Sequence, residues 1–287
     1  MKNNVPLISL HGGHSGDFCQ HATNSLEEIL QAYVDKGYAI VGITEHMPPP
    51  DNRFRYPDET AAGIDAEIMR LRFDRYFETA RRLQKELLHI MKVWVGFETE
   101  WYDGALPLIR ELIARHNPDY IIGSLHHVGG IAFDYDEEHY MRATQTSGGL
   151  DALYQHYFDQ QFEMIKSLSP AVVGHFDIIR IHDPNYRERM VKSTVKPLIF
   201  RNLELIKERG LILDLNTRAM IKGDDEFYPS RMIIDQAHLL GIPLVPGDDS
   251  HSVPTVGYKI EQAIRLLQTS GLSTDWEQLT KNLTTTS

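Results

Sequence analysis

The sequence predicts an α/β fold closed into a barrel of seven parallel strands. Three observations carry that reading. Seven short apolar, β-branched runs recur, each three to seven residues long and nearly continuous, as strands covered on both faces of a parallel sheet must be. Helix-period segments separate them, with no Pro/Gly/Ser linker and no charge block, so strand and helix alternate from end to end. Seven such units in 287 residues fit a closed barrel better than an open doubly wound sheet, and no Gly-x-Gly-x-x-Gly follows the first run. The whole chain, 1–287, is expected to form one domain.

The first strand is predicted at 5–10. Ser25-Leu26-Glu27-Glu28 then reads as a capping box opening a helix that ends near Gly37. The second strand, 38–43, leads into a long connection, 47–60, and a charged helical segment, 61–88. The third strand is 91–97, followed by a helix at 106–115, and the fourth is 119–125. A second long connection, 127–149, precedes a helix at 150–167, whose stripe of Tyr154, Tyr157, Phe158, Gln161 and Phe162 reads as core. The remaining strands fall at 171–173, 211–215 and 242–245, with helices at 192–209, 230–240 and 260–269. Gly37, Gly210 and Gly241 sit where helix C-terminal caps belong. Long loops on the C-terminal side of barrel strands build sites, which singles out the two long connections.

Composition narrows the function. The apolar fraction of 42 % supports a sizeable core and argues against disorder. No apolar run approaches the ~18 residues that span a bilayer, and the short apolar stretch in 1–10 is too brief for a secretory core. One cysteine, Cys19, excludes an internal disulfide and suits a reducing cytoplasm. A net charge of −11, from 29 basic and 40 acidic groups, disfavours nucleic acid and anionic membranes as partners. An anionic substrate would need local positive charge, which metal ions supply.

Every predicted strand ends in polar, mostly metal-ligating residues. His11 and His14 follow the first strand, with His21 a little beyond; His46 follows the second and Glu98 the third. His126 follows the fourth, His175 the fifth, Asn216 and Arg218 the sixth, and Asp249 and His251 the seventh. In a barrel these ends meet at one mouth. Imidazoles and carboxylates are the ligand set of Zn²⁺, Mn²⁺ or Fe²⁺. Seven histidines and two carboxylates exceed one ion's needs and suggest two or three ions.

The motifs His11-Gly-Gly-His14 with His21, Thr44-Glu45-His46, Gly96-Phe97-Glu98, Gly123-Ser124-Leu125-His126, Gly174-His175-Phe176-Asp177 and Gly247-Asp248-Asp249-Ser250-His251 span most of the chain. Together they resemble the polymerase-and-histidinol-phosphatase (PHP) superfamily, in its histidinol-phosphatase branch. The resemblance implies a distorted (β/α)7 TIM-like barrel holding a trinuclear site of zinc, iron or manganese. It also implies a bridging role for Glu98, and matches Asp249, not Asp248, and His126, not His127, to ligand positions. The spacing His11-x-x-His14 departs from the family's usual His-x-His and leaves open which histidine takes which place. His127 reads as a loop histidine or, less readily, as support for its neighbour, Asp248 as support for a ligand or as structural, and Cys19, between two proposed ligands, as a buried thiol more readily than as a ligand.

The expected activity is hydrolysis of a phosphate monoester, L-histidinol phosphate first, by a metal-bound hydroxide. Glu98 and Asp249 would fix the ions, and Asp249 or His251 would carry the proton to the leaving group. Arg180 is the first phosphate-binding candidate and Arg218 the second; Arg53 and Arg55, on the first long connection, could close over the substrate. Asp134, on the second long connection, could pair with a substrate ammonium. The alternatives are another small phosphate such as a nucleotide, a metal-dependent amidohydrolase, and a non-catalytic metal-binding domain. The amidohydrolase reading lacks a metal-bridging lysine after the fourth strand. The third loses ground because the ligand set is complete and no polymerase region is attached.

Overall fold

The computed structural model describes residues 5–281 and 283. Among these residues the strands are β1 (Leu7–Ser9), β2 (Tyr38–His46), β3 (Lys92–Glu100), β4 (Tyr120–Ser124), β5 (His127–Val128), β6 (Ile131–Ala132), β7 (Val172–Val173), β8 (Ile212–Asn216) and β9 (Leu244–Gly247). Seven of them form one parallel sheet in the order β1-β2-β3-β4-β7-β8-β9, while β5 and β6 pair as a separate antiparallel hairpin. The Leu10 amide donates to the Pro246 carbonyl at 3.0 Å, so the two sheet edges meet and the barrel is nearly closed. The predicted seven-unit barrel is therefore present.

The strands shift relative to the sequence expectation, and the shift runs toward the site. β2 and β3 continue three residues past the predicted ends, to His46 and Glu100. Their parallel register pairs His46 with Glu98, which sets two ligand-type residues side by side on neighbouring strands. The polar residues at these ends hid strand structure that the sheet hydrogen bonds enforce. Two glycines permit close approach at the barrel interior. A Cβ on Gly42 would lie 1.9 Å from the Tyr120 hydroxyl, which donates to the Leu10 carbonyl at 2.5 Å. A Cβ on Gly247 would lie 2.2 Å from Asp214 Oδ1 and 2.7 Å from His11 Cβ.

The helices follow their caps. Ser25 Oγ accepts from the Glu28 amide and Glu28 Oε2 accepts from the Ser25 amide, the expected box, and the helix Leu26–Asp35 stops just before Gly37. Gly210 and Gly241, at φ 65° and 72°, close the helices Lys196–Arg209 and Arg231–Leu240. The segment 61–88 is not one helix: Pro57–Ala61 ends at Gly63, and Asp65 caps a new helix, Ala66–Glu86, through a bond from the Ile68 amide. Likewise 192–209 begins late, because Pro197 has no N–H to donate and starts the helix at its first turn. The connection 127–149 holds the β5–β6 hairpin and a helix, Glu137–Ser147. That helix buries only Tyr140 and Ala143, too few apolar positions to show as a periodic stripe. Tyr154, Tyr157, Phe158 and Gln161 lie in the core as read, with Phe162 half-buried against it.

Candidate active site at the barrel mouth

The C-terminal strand ends gather the predicted ligands around one carboxylate. Glu98, on β3, is buried with Oε2 3.1 Å from His46 Nδ1, 3.3 Å from His11 Nε2 and 3.8 Å from His14 Nε2. Its Oε1 lies 2.9 Å from His175 Nε2 and 3.4 Å from His126 Nε2. Asp249 approaches from the opposite wall, with Oδ1 3.3 Å from His14 Nε2. Its backbone is left-handed at φ 46°, a conformation aspartate tolerates, and its amide donates to the His11 carbonyl at 2.7 Å. That turn points the carboxylate into the mouth. His251 packs its ring 4.3 Å from His14 and 5.0 Å from His21, which sits at the half-exposed edge of the group.

Two carboxylates that the sequence reading passed over hold the imidazoles from behind. Asp214 Oδ2 accepts from His11 Nδ1 at 2.7 Å, and Glu100 Oε1 accepts from His126 Nδ1 at 2.8 Å. Each fixes a tautomer that leaves Nε2 free toward Glu98. Glu100 was legible from the alternation of β3, where Gly96, Glu98 and Glu100 share a face. Asp214 was less so, because it lies inside the apolar run of β8. Glu45 stands behind His14, its Oε2 3.7 Å from Nδ1 and its Oε1 accepting from Ser15 N at 2.7 Å.

The donor set fits divalent cations. His11 Nε2, both ring nitrogens of His14 and His46, and single oxygens of Glu45 and Glu100 are buried with no well-directed hydrogen bond, and apart from His46 Nε2 each meets an oppositely charged partner only at 3.1–3.8 Å. The Nε2 atoms of His126 and His175 face each other at 3.1 Å beside Glu98 Oε1. Among the described residues, donor atoms lie within 4.8 Å of one another in sets such as His11/Glu98/His175, His11/His14/Asp249, His14/His46/Glu98 and His46/Glu100/His126. Buried unpaired nitrogens are costly unless a cation or proton satisfies them.

Charge coupling tells the same story. Burial pushes Glu98 up, but His11, His46 and His126 overturn it and hold the carboxyl well below the ordinary range. Burial acts the same way on Glu100, and His126, His127 and His46 pull it well below. Burial also opposes the charged form of His14, yet Asp249 and Glu45 raise it to about 9. His251 goes the other way: burial and then the Arg218 guanidinium keep it well below its usual value.

A cleft of about 240 Å³ opens beside this cluster, lined by Arg218 and Lys222 and by Asp134, Tyr135 and Tyr56. Arg218 donates to the Asp249 carbonyl at 2.9 Å and contacts His251 Nδ1 at 2.8 Å. The structure brings Arg218 and Asp134 to the cleft, and adds Lys222, Tyr56 and Tyr228, which carry no sequence motif.

Three expected substrate contacts are corrected. Arg180 is fully buried between Asp177 at 3.4 Å and Asp224 at 3.0 Å, donates to the Phe227 carbonyl, and lies over the rings of Tyr186 and Tyr228. Its charge is spent inside the fold. Arg53 is exposed and forked on Asp51, and Arg55 donates to the carbonyls of Asn52 and Ile64; neither lines the cleft. Asp248 is structural: it accepts from Ser9 and Tyr33 hydroxyls, each at 2.7 Å. His127 stands 3.4 Å from Glu100 Oε2, behind His126. Cys19 is buried, its Sγ 3.4 Å from His21 Nε2.

Residues 11–218 match the PHP domain family. The chain belongs to the PHP family. The match takes in His11 through His175, while Asp249 and His251 lie beyond it and join the site through β9. Among curated proteins, the chain is 33% identical over 93% of its length to a probable histidinol-phosphatase of Schizosaccharomyces pombe, covering 87% of that protein. It is 27% identical over 86% of its length to the histidinol-phosphatase of Saccharomyces cerevisiae, covering 84% of it. The PHP barrel also superposes on the crystal structure of histidinol phosphate phosphatase from Lactococcus lactis, complexed with zinc, L-histidinol and phosphate. The TM-score is 0.73 at 21% identity, covering 94% of this chain and 95% of that one.

Proposed function

We propose that this chain is a metal-dependent phosphomonoesterase that hydrolyses L-histidinol phosphate to L-histidinol and phosphate. The observation that carries the chemistry is Glu98, a buried carboxylate with five imidazoles within 3.8 Å, in a cleft lined by both cationic and acidic groups. The substrate follows from relatives named for it along nearly the whole chain. A cleft of about 240 Å³, below the ~300–1,000 Å³ typical of ligand sites, favours a small phosphorylated amino alcohol over a nucleotide.

His11, His14, His21, His46, Glu98, His126, His175, Asp249 and His251 would hold two or three divalent ions, zinc, iron or manganese. Ions held there supply charge to the phosphate oxygens and a water acidified to a pKa of about 7. Arg218 and Lys222 neutralise the phosphate from the open side. Asp249 or His251 would carry a proton to the leaving alkoxide as the P–O bond breaks, water supplying that proton and the oxygen newly bonded to phosphorus. His251 Nδ1, against the Asp249 carbonyl at 2.9 Å, keeps that loop in place. Asp134 pairs with the substrate ammonium, and Tyr56, Tyr135 and Tyr228 form the wall for its imidazole. The chain acts as one catalytic domain, in the cytoplasm, on a small molecule and not on nucleic acid, a reading supported by its net charge of −11 and single cysteine.

Phosphate release from metal-loaded protein tests this. We expect kcat/KM for L-histidinol phosphate to exceed that for nucleoside monophosphates, sugar phosphates and p-nitrophenyl phosphate by at least ~100-fold, about 2.7 kcal/mol of discrimination. A flat profile would retire the substrate and keep the metal site.

A further inference from the structure

The single cysteine lies against the outer part of the site. Cys19 Sγ, His21, His46 and His251 each offer a donor atom within 4.8 Å of the others, and Sγ to His21 Nε2 is 3.4 Å. In a tetrahedral zinc site with Zn–S of about 2.3 Å and Zn–N of about 2.0–2.1 Å, sulfur and nitrogen stand ~3.6 Å apart. The separation seen here, which also suits an S–H···N hydrogen bond, lets both atoms bind one ion with little movement.

Other features of the same place point the same way. His46 Nε2 is buried without a partner, while its Nδ1 lies 3.1 Å from Glu98 Oε2. Glu45, on a side chain only 2% exposed, makes no hydrogen bond through Oε2, which lies 3.7 Å from His14 Nδ1, and it lines a cavity of about 30 Å³ together with Cys19, His21 and His46. The loop is fixed before any ion arrives: the Cys19 amide donates to the Ser15 carbonyl at 2.8 Å, and the Thr23 amide to the His251 carbonyl at 2.8 Å. An inert buried thiol packs among apolar groups. This one lies against His21 and shares its cavity with His46 and Glu45 as well as with apolar Phe18, Met47 and Phe73.

We propose that Cys19 is a thiolate ligand, completing a Cys/His₃ donor set with His21, His46 and His251 at the outermost metal position. The inference rests on the metal-dependent reading above. On binding, the S–H bond breaks, its proton passes to solvent, and the sulfur lone pair makes the coordinate bond; nothing is oxidised or reduced. A thiolate makes this position select thiophilic ions, zinc or cobalt, over manganese, while the sites around Glu98 keep only nitrogen and oxygen donors.

The test strips the full chain of metal and reloads it with Co²⁺. The chain has one cysteine, so a sulfur-to-cobalt charge-transfer band in the near ultraviolet has one source. We expect the band in the wild type and its loss in Cys19→Ser, with visible cobalt bands from the remaining ions retained and binding of the outermost ion weakened at least ~10-fold. X-ray absorption at the zinc edge of wild-type protein gives the same answer without a variant, as a sulfur shell at about 2.3 Å. Visible cobalt bands with no charge-transfer band, or a zinc edge with nitrogen and oxygen alone, overturn the thiolate and leave the phosphatase reading standing. A chain that binds neither cobalt nor zinc overturns both.

Discussion

Glu100 and Arg218 show how much of this site depends on residues beside the ligands. Glu100 sits 2.8 Å from His126 Nδ1 and fixes which nitrogen faces Glu98. Glu100→Ala is expected to weaken metal binding or activity ~10–100-fold, read by metal titration of the chelator-stripped protein, with circular dichroism unchanged. Arg218 joins the cleft to the Asp249 turn. A charge-assisted contact to phosphate is worth about 1.5–3 kcal/mol, so Arg218→Ala should lower kcat/KM ~10–150-fold. Steady-state kinetics on L-histidinol phosphate checks this. Unchanged kinetics would remove Arg218 from the phosphate site.

At the scale of elements, position in the fold decides what a residue is for. Arg180 looked like a phosphate fork because it follows the His175 motif by five residues. The short turn Ile178–Arg180 instead drives it inward, where Asp177 and Asp224 tie that turn to the segment carrying Tyr228. Removing one partner of a buried pair strands a charge. Arg180→Ala should therefore cost about 3–5 kcal/mol of stability, measured by urea unfolding, with KM unchanged in the protein that folds. A substrate-binding arginine would give the reverse. In β2, Gly42 makes room for the Tyr120 hydroxyl. Gly42→Ala should destabilise by about 1–3 kcal/mol, and Tyr120→Phe in the same chain should recover part of that loss, a coupling that a double-mutant cycle reads.

For the whole molecule, metal and pH act on one set of protons. In the metal-free chain the His14 value lies at about 9 and that of His126 at about 10, because Asp249 and Glu45, and Glu100 and Glu98, outweigh burial. Groups raised above an unfolded value near 6.5 stabilise the fold fully below that pH, and lose the contribution as pH rises through about 9–10. The Tm of metal-free protein should thus fall from pH 7 to pH 10. Divalent ions replace those protons, so metal affinity should rise over the same range and the loaded protein should hold its Tm. At an ion concentration 100 times Kd the stabilisation is about 2.7 kcal/mol. Differential scanning calorimetry across pH, with and without zinc, separates the two curves; parallel curves would refute the linkage.

The barrel and the gathering of ligand-type residues at its mouth were legible in the amino-acid order because both depend on local patterning. Apolar runs alternate with capped helices, and a ligand-type side chain follows nearly every run. Asp134 and Arg218 were reachable for the same reason, each lying just past a strand or on a long connection. Partnership was not legible. That Glu98 stands beside His46 follows from the register of two strands about fifty residues apart, and that Asp214 backs His11 follows from closing the sheet around Gly247. The fate of each arginine was likewise tertiary, since Arg180, Arg53 and Arg218 carry the same charge and differ only in which carboxylates and carbonyls the fold brings to them. Sequence set the chemistry available at each strand end, because side-chain type and period are local properties. Tertiary structure chose which groups face the cleft and which spend their charge inside, because that depends on contacts between segments far apart in the chain.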